Sequence, residues 1–250
     1  MQNIVRESAN QSFEDRNFFE ENSRYFDRCP DTTAIKLENF VKYVPRQRLA
    51  KFLVHYEIFK KILHVQGSIV ECGVLRGEGL FTWAKLSAIF EPVNHTRKII
   101  GFDTFAGFPD LHEKDRGSTS DHFHQGGLCV DSFDDLQQGI ALYDRNRSVG
   151  HIPKIELIKG DIRQTLPQYL QDNPHLVVGL LHLDLDIYEP TKTAIEHLID
   201  RMPRGAVLVF DELNSKIWTG ETVAVRETLG LKNLRIERFP FDSYVSYAVL

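Results

Sequence analysis

The sequence is poor in cysteine. It has three, Cys29, Cys72 and Cys129, in 250 residues. They lie far apart with no Cys-x-x-Cys spacing, which argues against both a disulfide framework and a thiolate metal site. That usage suits a reducing compartment, and a cytoplasmic protein is expected. Long apolar runs are also missing. No stretch reaches the ~18 consecutive apolar residues of a membrane-spanning helix, and the N-terminal MQNIVRESANQSFEDRN lacks the apolar centre of a signal peptide. Positive charge is not in excess: 30 Lys and Arg against 35 Asp and Glu leave a net charge of −5. This gives no footprint for nucleic acid or an anionic membrane surface. No internal repeat is evident. What remains is a chain with 42% hydrophobic residues, long enough to bury one good core with additions. Small-molecule chemistry is the default for such a chain.

The most informative stretch is HLDLDIYEPT, residues 182–191. It follows an unbroken apolar run, 176–183, of the kind that forms a central strand covered on both faces. Side chains alternate along a strand, so Asp184 and Asp186 are expected on the same side, roughly 6 to 7 Å apart at Cα. A second apolar run, 206–210, delivers Asp211 and Glu212 in the same way. Ligands of open parallel sheets bind at this end of the strands. One such acid taken alone reads better as a cap on the following helix. Four of them converging would repel one another unless a cation sat among them, and a hard, oxygen-seeking ion such as Mg²⁺ is the simplest candidate.

Taken in order, residues 1–45 are polar and carry scattered aromatics, Phe13, Phe18, Phe19, Tyr25 and Phe26. They read as an appendage to a main domain at 46–250. Those aromatics could pack on the domain, close over a site or meet another copy of the chain, which keeps a homo-oligomer open. Leu49, Phe52, Leu53, Tyr56, Phe59, Ile62 and Leu63 recur at helical spacing and predict an amphipathic helix. SIVECGVLRGEG, residues 68–79, reads as strand, glycine-rich turn and helix start. Gly73, Gly77 and Gly79 would let the backbone approach a ligand closely. The spacing is not Gly-x-Gly-x-x-Gly, and a pyrophosphate would sit badly beside Glu71. A ligand with an ammonium group, such as the methionine part of S-adenosylmethionine, would tolerate that acid.

Residues 98–103 predict the next strand, ending at Asp103, which is placed either to bind a ribose or to cap its own loop. The polar, glycine-spotted connection at 105–131 is long enough to suggest a lid. Its His122 and His124 lack further ligands and are set aside as metal ligands. Ser132, with Asp135 three residues on, suggests a capped helix. Residues 154–161 give a third strand ending at Asp161, which with Ile162 could meet the edge and face of an adenine. Lys216, Trp218 and Arg226 fall on a loop and helix expected near the acids. A terminal hairpin built from 233–239 and 243–250 should close an α/β sheet with one reversed strand.

As an ordered set, YVPRQRLAKF, GSIVECGVLRGEG, GFDTFAGFP, GDIRQTLP, HLDLDIYEPT and VLVFDE resemble the macrocin O-methyltransferase family. These are metal-dependent sugar O-methyltransferases, and the resemblance runs from about residue 43 to the C-terminus. It implies a Rossmann-like α/β fold, with a mostly parallel seven-stranded sheet, one antiparallel strand near the C-terminus and helices on both faces. It implies S-adenosylmethionine across Glu71, Gly73, Val74, Gly77, Asp103, Asp161 and Ile162, and Mg²⁺ at Asp184 and Asp211 with Asp186 as the base. Family members commonly carry two adjacent aspartates where this chain has Asp211 and Glu212, so Glu212 takes the place of a further ligand. The acceptor would be a sugar, nucleotide sugar or glycoside. Two other readings stay open on the residues. One is a glycosyltransferase holding a nucleotide-sugar diphosphate through the Asp-x-Asp pair, and the other is a binding protein that kept the fold without the chemistry.

Overall fold

Five apolar segments form parallel strands: β1 (Ser68–Cys72), β2 (Ile99–Asp103), β3 (Ile155–Lys159), β4 (Val178–Leu183) and β5 (Val207–Phe210). The computed structural model describes residues 11–250, so the first ten residues of the expected N-terminal appendage lie outside the described residues. Two further strands, β6 (Glu237–Arg238) and β7 (Ser246–Val249), complete a seven-stranded sheet of order β3-β2-β1-β4-β5-β7-β6. β7 runs antiparallel to both β5 and β6 and is therefore the one reversed strand. This is the α/β architecture expected from the sequence. The hairpin is shorter than predicted, because its first arm pairs through Glu237 and Arg238 alone.

Helices cover both faces. On one, α3 (Arg46–Ile62), α4 (Glu78–Phe90) and α5 (Phe133–Asp144) bury Ile58, Trp83 and Ile140 against Ile69, Leu180 and Val207. On the other, α6 (Ile162–Asp172), α7 (Tyr188–Leu198) and α8 (Gly220–Thr228) bury Leu166, Ile195 and Val225 against Val70, Leu181 and Phe210. Alternate strand residues thus feed opposite layers, which is why these strands read as continuous apolar runs.

The inner face of α3 differs from the predicted one. Val54, His55, Ile58, Phe59 and Ile62 are buried, whereas Phe52 and Leu53 are exposed. The helix is apolar on most sides, so packing against α4 and the sheet, not periodicity, selects the face that goes inside. Ahead of it stand α1 (Phe13–Arg28) and α2 (Thr33–Glu38). Ser12 and Asp15 form a reciprocal capping box that starts α1. That helix buries none of its own residues and is tied back by Asn22 Nδ2, which donates to the Tyr43 carbonyl at 2.8 Å.

Candidate active site

The register of the sheet brings the acids together. Cys72 pairs with Phe102 on one side and Leu183 on the other, and Leu183 pairs with Phe210. The residues that follow, Gly73, Asp103, Asp184 and Asp211, therefore stand in a row along one edge of the sheet. Backbone hydrogen bonds continue the ladder one residue past the strands, from Asp184 N to Cys72 O at 2.8 Å and from Asp211 N to Leu183 O at 3.1 Å. Strand order reverses between β1 and β4, the crevice where ligands of such sheets bind. The loops leaving this edge are strained. Leu75, Phe105, Asp186 and Asn214 have φ of +50°, +54°, +63° and +65°, values that side chains with a Cβ adopt rarely.

A cavity of about 620 Å³ opens at this edge. Its wall includes Glu71, Gly73, Val74, Asp103, Asp161, Ile162, Asp184, Asp186, Asp211 and Glu212. Of the residues expected to hold the cofactor or the cation, only Gly77 is set back from it. Gly77 precedes α4 with φ +81°, and a Cβ there would meet Leu136 Cδ2 at 2.5 Å. Its glycine serves helix packing.

At the β1 end, Glu71 is 1% exposed and its Oε2 has no hydrogen-bond partner. Gly79 leaves room for this carboxylate, since a Cβ there would lie 2.6 Å from Oε2. Gly73, at φ +91°, is where two chains touch: a Cβ on it would fall 1.7 Å from the Asp184 carbonyl oxygen. Asp103 shapes the turn directly. Its Oδ2 accepts from Val74 N at 2.7 Å and Leu75 N at 2.8 Å, and its Oδ1 from Phe105 N at 2.7 Å. Oδ1 keeps capacity for one more donor. Asp161 caps α6 and is held by Arg163, which also grips Asp110 of the long loop at 2.9 and 3.0 Å. Burial works to raise the Asp161 pKa, but Arg163 outweighs it and the net shift is downward.

At the β4 and β5 end, His182, Asp184 and Asp211 offer ligand atoms within 4.8 Å of one another, the group among the described residues that could hold a metal ion. Asp211 Oδ1 is buried without a hydrogen-bond partner, as is Glu212 Oε2. Glu212 lies beside this group but not within it. Lys51 from α3 reaches in, with Nζ 3.1 Å from Asp211 Oδ1 and 4.0 Å from Asp184 Oδ2. Burial would lower the pKa of Lys51, but Asp211 and Asp184 override it and the ammonium is held charged. Burial and the neighbouring Asp211 push Asp184 up to about 7. Burial, then Asp211 and Asp184, push Glu212 up to about 9. Asp211 moves the other way: Lys51 and His182 overcome its burial and depress it.

His182 is fully buried. Its Nδ1 lies 3.5 Å from Glu71 Oε2 and its Nε2 3.6 Å from Asp211 Oδ1. Burial acts to lower its pKa, but the two flanking acids prevail and push it up to about 10. Asp184 and Asp186 do not stand side by side as strand residues. β4 ends at Leu183, and the left-handed Asp186 bends the chain toward α7. Both still line the cavity, with Asp186 8% exposed.

Residues 11–235 match the family described as Macrocin-O-methyltransferase (TylF). The chain belongs to that family. The calicheamicin methyltransferase CalS11 superposes with a TM-score of 0.92 at 31% identity, covering 100% of this chain and 98% of that one. The apo form of CalS11, described as a TDP-rhamnose 3'-O-methyltransferase, gives a TM-score of 0.83 at 30% identity over 96% of each chain. A Streptomyces olivaceus tetracenomycin-C 4'-O-methyltransferase, named for its dimethoxyrhamnosyl substrate, is 31% identical over 153 residues. That match covers 59% of this chain and 53% of the relative, about half its length.

The family match begins at residue 11 and so takes in all but the first ten residues of the N-terminal segment that the sequence motifs left outside the resemblance. In this macrocin O-methyltransferase family member the expected Ser132 capping box is absent. Ser132 Oγ instead donates to the Leu75 carbonyl and ties α5 to the glycine turn. Of the three side chains expected near the acids from the loop and helix after β5, Trp218 lines the cavity and Lys216 and Arg226 do not. The lysine at the acids is Lys51. Glu221, fully buried in α8, accepts from Glu212 N at 3.0 Å. Lys51, His182 and Glu221 were not singled out in the sequence. For His182 there was a signal, a histidine inside an otherwise apolar strand.

The long connection after β2 is fastened on several sides. Asp115, fully buried, accepts from Tyr188 N at 2.7 Å and from His112 N at 2.8 Å. Thr119 N donates to the carbonyls of Lys216 and Ile217. Phe108, Ile187, Ile217 and Trp218 make a small apolar cluster beneath it. Among the described residues, no helix is long and apolar enough to cross a membrane.

Proposed function

We propose that this protein transfers a methyl group from S-adenosylmethionine to a sugar hydroxyl with the help of a divalent cation such as Mg²⁺. The observation that carries the reading is one cavity with two unlike ends. At one end the buried Glu71 keeps one carboxylate oxygen, Oε2, without a hydrogen-bond partner beside a glycine turn. At the other, Asp184 and Asp211 crowd together with His182, with ligand atoms close enough to share one metal ion.

Both ends fit the groups they would take. Glu71 suits an ammonium, the turn at Gly73 and Val74 lets a ligand lie against backbone, and Asp103 retains one lone pair for a hydroxyl. Asp161 and Ile162 offer a polar edge and an apolar face for a base. Asp184 and Asp211 are the oxygen donors for a hard cation, with Glu212 as a further one. When bound, S-adenosylmethionine supplies the methyl group and the cation lowers the pKa of the acceptor hydroxyl. Asp186, which lines the cavity, accepts the hydroxyl proton. The loop at 104–131, pinned through Asp115, excludes water over the same cavity.

A second cavity of about 560 Å³ adjoins the acids and is lined by Phe19, Arg46, Trp218, Phe241 and Tyr244. It supports entry of the acceptor between the N-terminal segment and the terminal hairpin. Residues 46–250 then form the methyltransferase domain and 1–45 an appendage that contributes acceptor contacts. α1 also leaves Phe13, Phe18 and Tyr25 exposed for contact with a second copy of the chain. The cysteine usage supports a cytoplasmic enzyme. Both relatives named above are described by rhamnose-bearing substrates, which supports a sugar acceptor, and membership in a methyltransferase family disfavours the glycosyl-transfer reading.

The test is incubation with S-adenosylmethionine, Mg²⁺ and a panel of nucleotide deoxysugars and glycosides, followed by mass spectrometry. S-adenosylhomocysteine should form together with an acceptor heavier by one methylene, and EDTA should abolish both. Full activity in EDTA would remove the cation from the account.

A further inference from the structure

Lys51 stands where a second cation would compete with it. The residue projects from α3, a full 160 positions from Asp211 in the chain, and Nζ contacts both oxygens of that carboxylate, Oδ1 at 3.1 Å and Oδ2 at 3.2 Å. The same ammonium is 4.0 Å from Asp184 Oδ2. It therefore sits on the two carboxylates that are the best oxygen donors for a divalent ion. A divalent ion coordinates carboxylate oxygen at about 2.0 to 2.6 Å. An ammonium held at hydrogen-bond distance from the same oxygens would be left against a like charge. Both cannot keep these positions.

Lys51 also has somewhere to go. It lines the main cavity and the second cavity alike, and the two share Arg48, Lys51, Asp211, Glu212 and Trp218. A lysine head sits on a flexible four-carbon stem and can change partners by rotation about it. Its side chain is 21% exposed.

We infer that Lys51 is a built-in counter-ion that occupies the divalent-cation site and must be displaced from Asp211 and Asp184 for the metal to bind. This rests on the proposed divalent-cation site. In the metal-free protein the ammonium relieves the repulsion between the two carboxylates and holds them in place. In the metal-bound protein it turns into the second cavity. Metal affinity is thereby set below what the carboxylates alone would give, and metal-free stability above it.

The experiment is a Mn²⁺ titration read by the EPR signal of the free ion, on wild type, Lys51→Met, Lys51→Gln, Lys51→Arg and Asp211→Asn. Thermal melts in EDTA and in Mg²⁺ accompany it. Wild type should bind one Mn²⁺ and Asp211→Asn should bind it far more weakly, which establishes the site independently of Lys51. Lys51→Met should bind at least tenfold more tightly, whereas Lys51→Arg, which keeps the charge, should gain nothing. Lys51→Met should also melt below wild type in EDTA and recover more than wild type does on adding Mg²⁺. If Lys51→Met does not fold, Lys51→Gln makes the same comparison. Equal or weaker binding by the neutral variants would overturn the inference while leaving the cation site standing. Absence of Mn²⁺ binding in wild type and neutral variants alike would overturn both.

Discussion

Glu71 and His182 are partners across neighbouring strands, and the imidazole between Glu71 and Asp211 links the two ends of the cavity through a buried acid, base and acid. The link is electrostatic. At 3.5 and 3.6 Å the contacts are too long for hydrogen bonds, but in a fully buried setting the charges remain strongly coupled. Replacing the ring with an apolar side chain leaves two carboxylates without their shared counter-charge. His182→Leu should therefore lower stability by about 3 to 5 kcal/mol, measured by urea unfolding. A loss below about 1 kcal/mol would mean that the ring carries no charge in the folded protein.

Gly73 joins the glycine turn to the acid cluster, because the space a Cβ would need is filled by the Asp184 carbonyl oxygen. Gly73→Ala should displace both chains at once and weaken binding of S-adenosylhomocysteine and of Mn²⁺ together. Gly117 is the control. It also has positive φ, +109°, but a Cβ there meets nothing within 4 Å, so Gly117→Ala should cost only backbone strain, about 1 to 2 kcal/mol, and leave both ligands unaffected. Calorimetry on the two variants makes the comparison.

The three aspartates should fail in different ways. Asp184→Asn and Asp211→Asn each remove an anionic oxygen from the proposed cation site, so activity should fall and recover in part at high Mg²⁺. Asp186→Asn keeps its shape but cannot take a proton. Its kcat should drop by about 10² to 10⁴ with no rescue by added metal. Magnesium titrations of the three variants decide the roles, and rescue of Asp186→Asn alongside the other two would reassign it as a ligand.

Much of this was legible because β2, β4 and β5 are apolar runs that give way to an acid. The ends at Cys72, Asp103, Lys159, Leu183 and Phe210 place Asp103, Asp161, Asp184 and Asp211 at one edge with no need of tertiary information. What could not be read depends on contacts distant in sequence. Lys51 looks like any surface lysine on an amphipathic helix until α3 is docked on the sheet. The role of His182 needs the register that sets it opposite Glu71, and the role of Gly77 needs α5, whose Leu136 fills the space beside it. The predicted orientation of Asp184 and Asp186 assumed that β4 continued past Leu183. A left-handed residue at Asp186 ends that regularity, and local propensity gives no warning of it.

The loop at 104–131 is held by Asp115, whose carboxylate accepts from the backbone of both His112 and Tyr188. Asp115→Ala would leave the buried Tyr188 N–H unpaired, at about 1 to 3 kcal/mol, and the part-buried His112 N–H with it. Hydrogen exchange should accelerate across this loop and at the start of α7, two residues from Asp186, while β1 and β4 keep their protection. Uniform exchange changes over the whole protein would show that Asp115 supports the fold and not the loop.

The central claim is that one cavity holds a methyl donor at Glu71 and a divalent cation at Asp184 and Asp211. Its most direct test is a crystal grown with S-adenosylhomocysteine and Mn²⁺, with diffraction recorded at the manganese edge. The account predicts the homocysteine amine against Glu71, the adenine beside Asp161 and Ile162, and one anomalous peak between Asp184 and Asp211 with Lys51 turned away. A nucleoside bound elsewhere, or a manganese peak remote from those two aspartates, would contradict it.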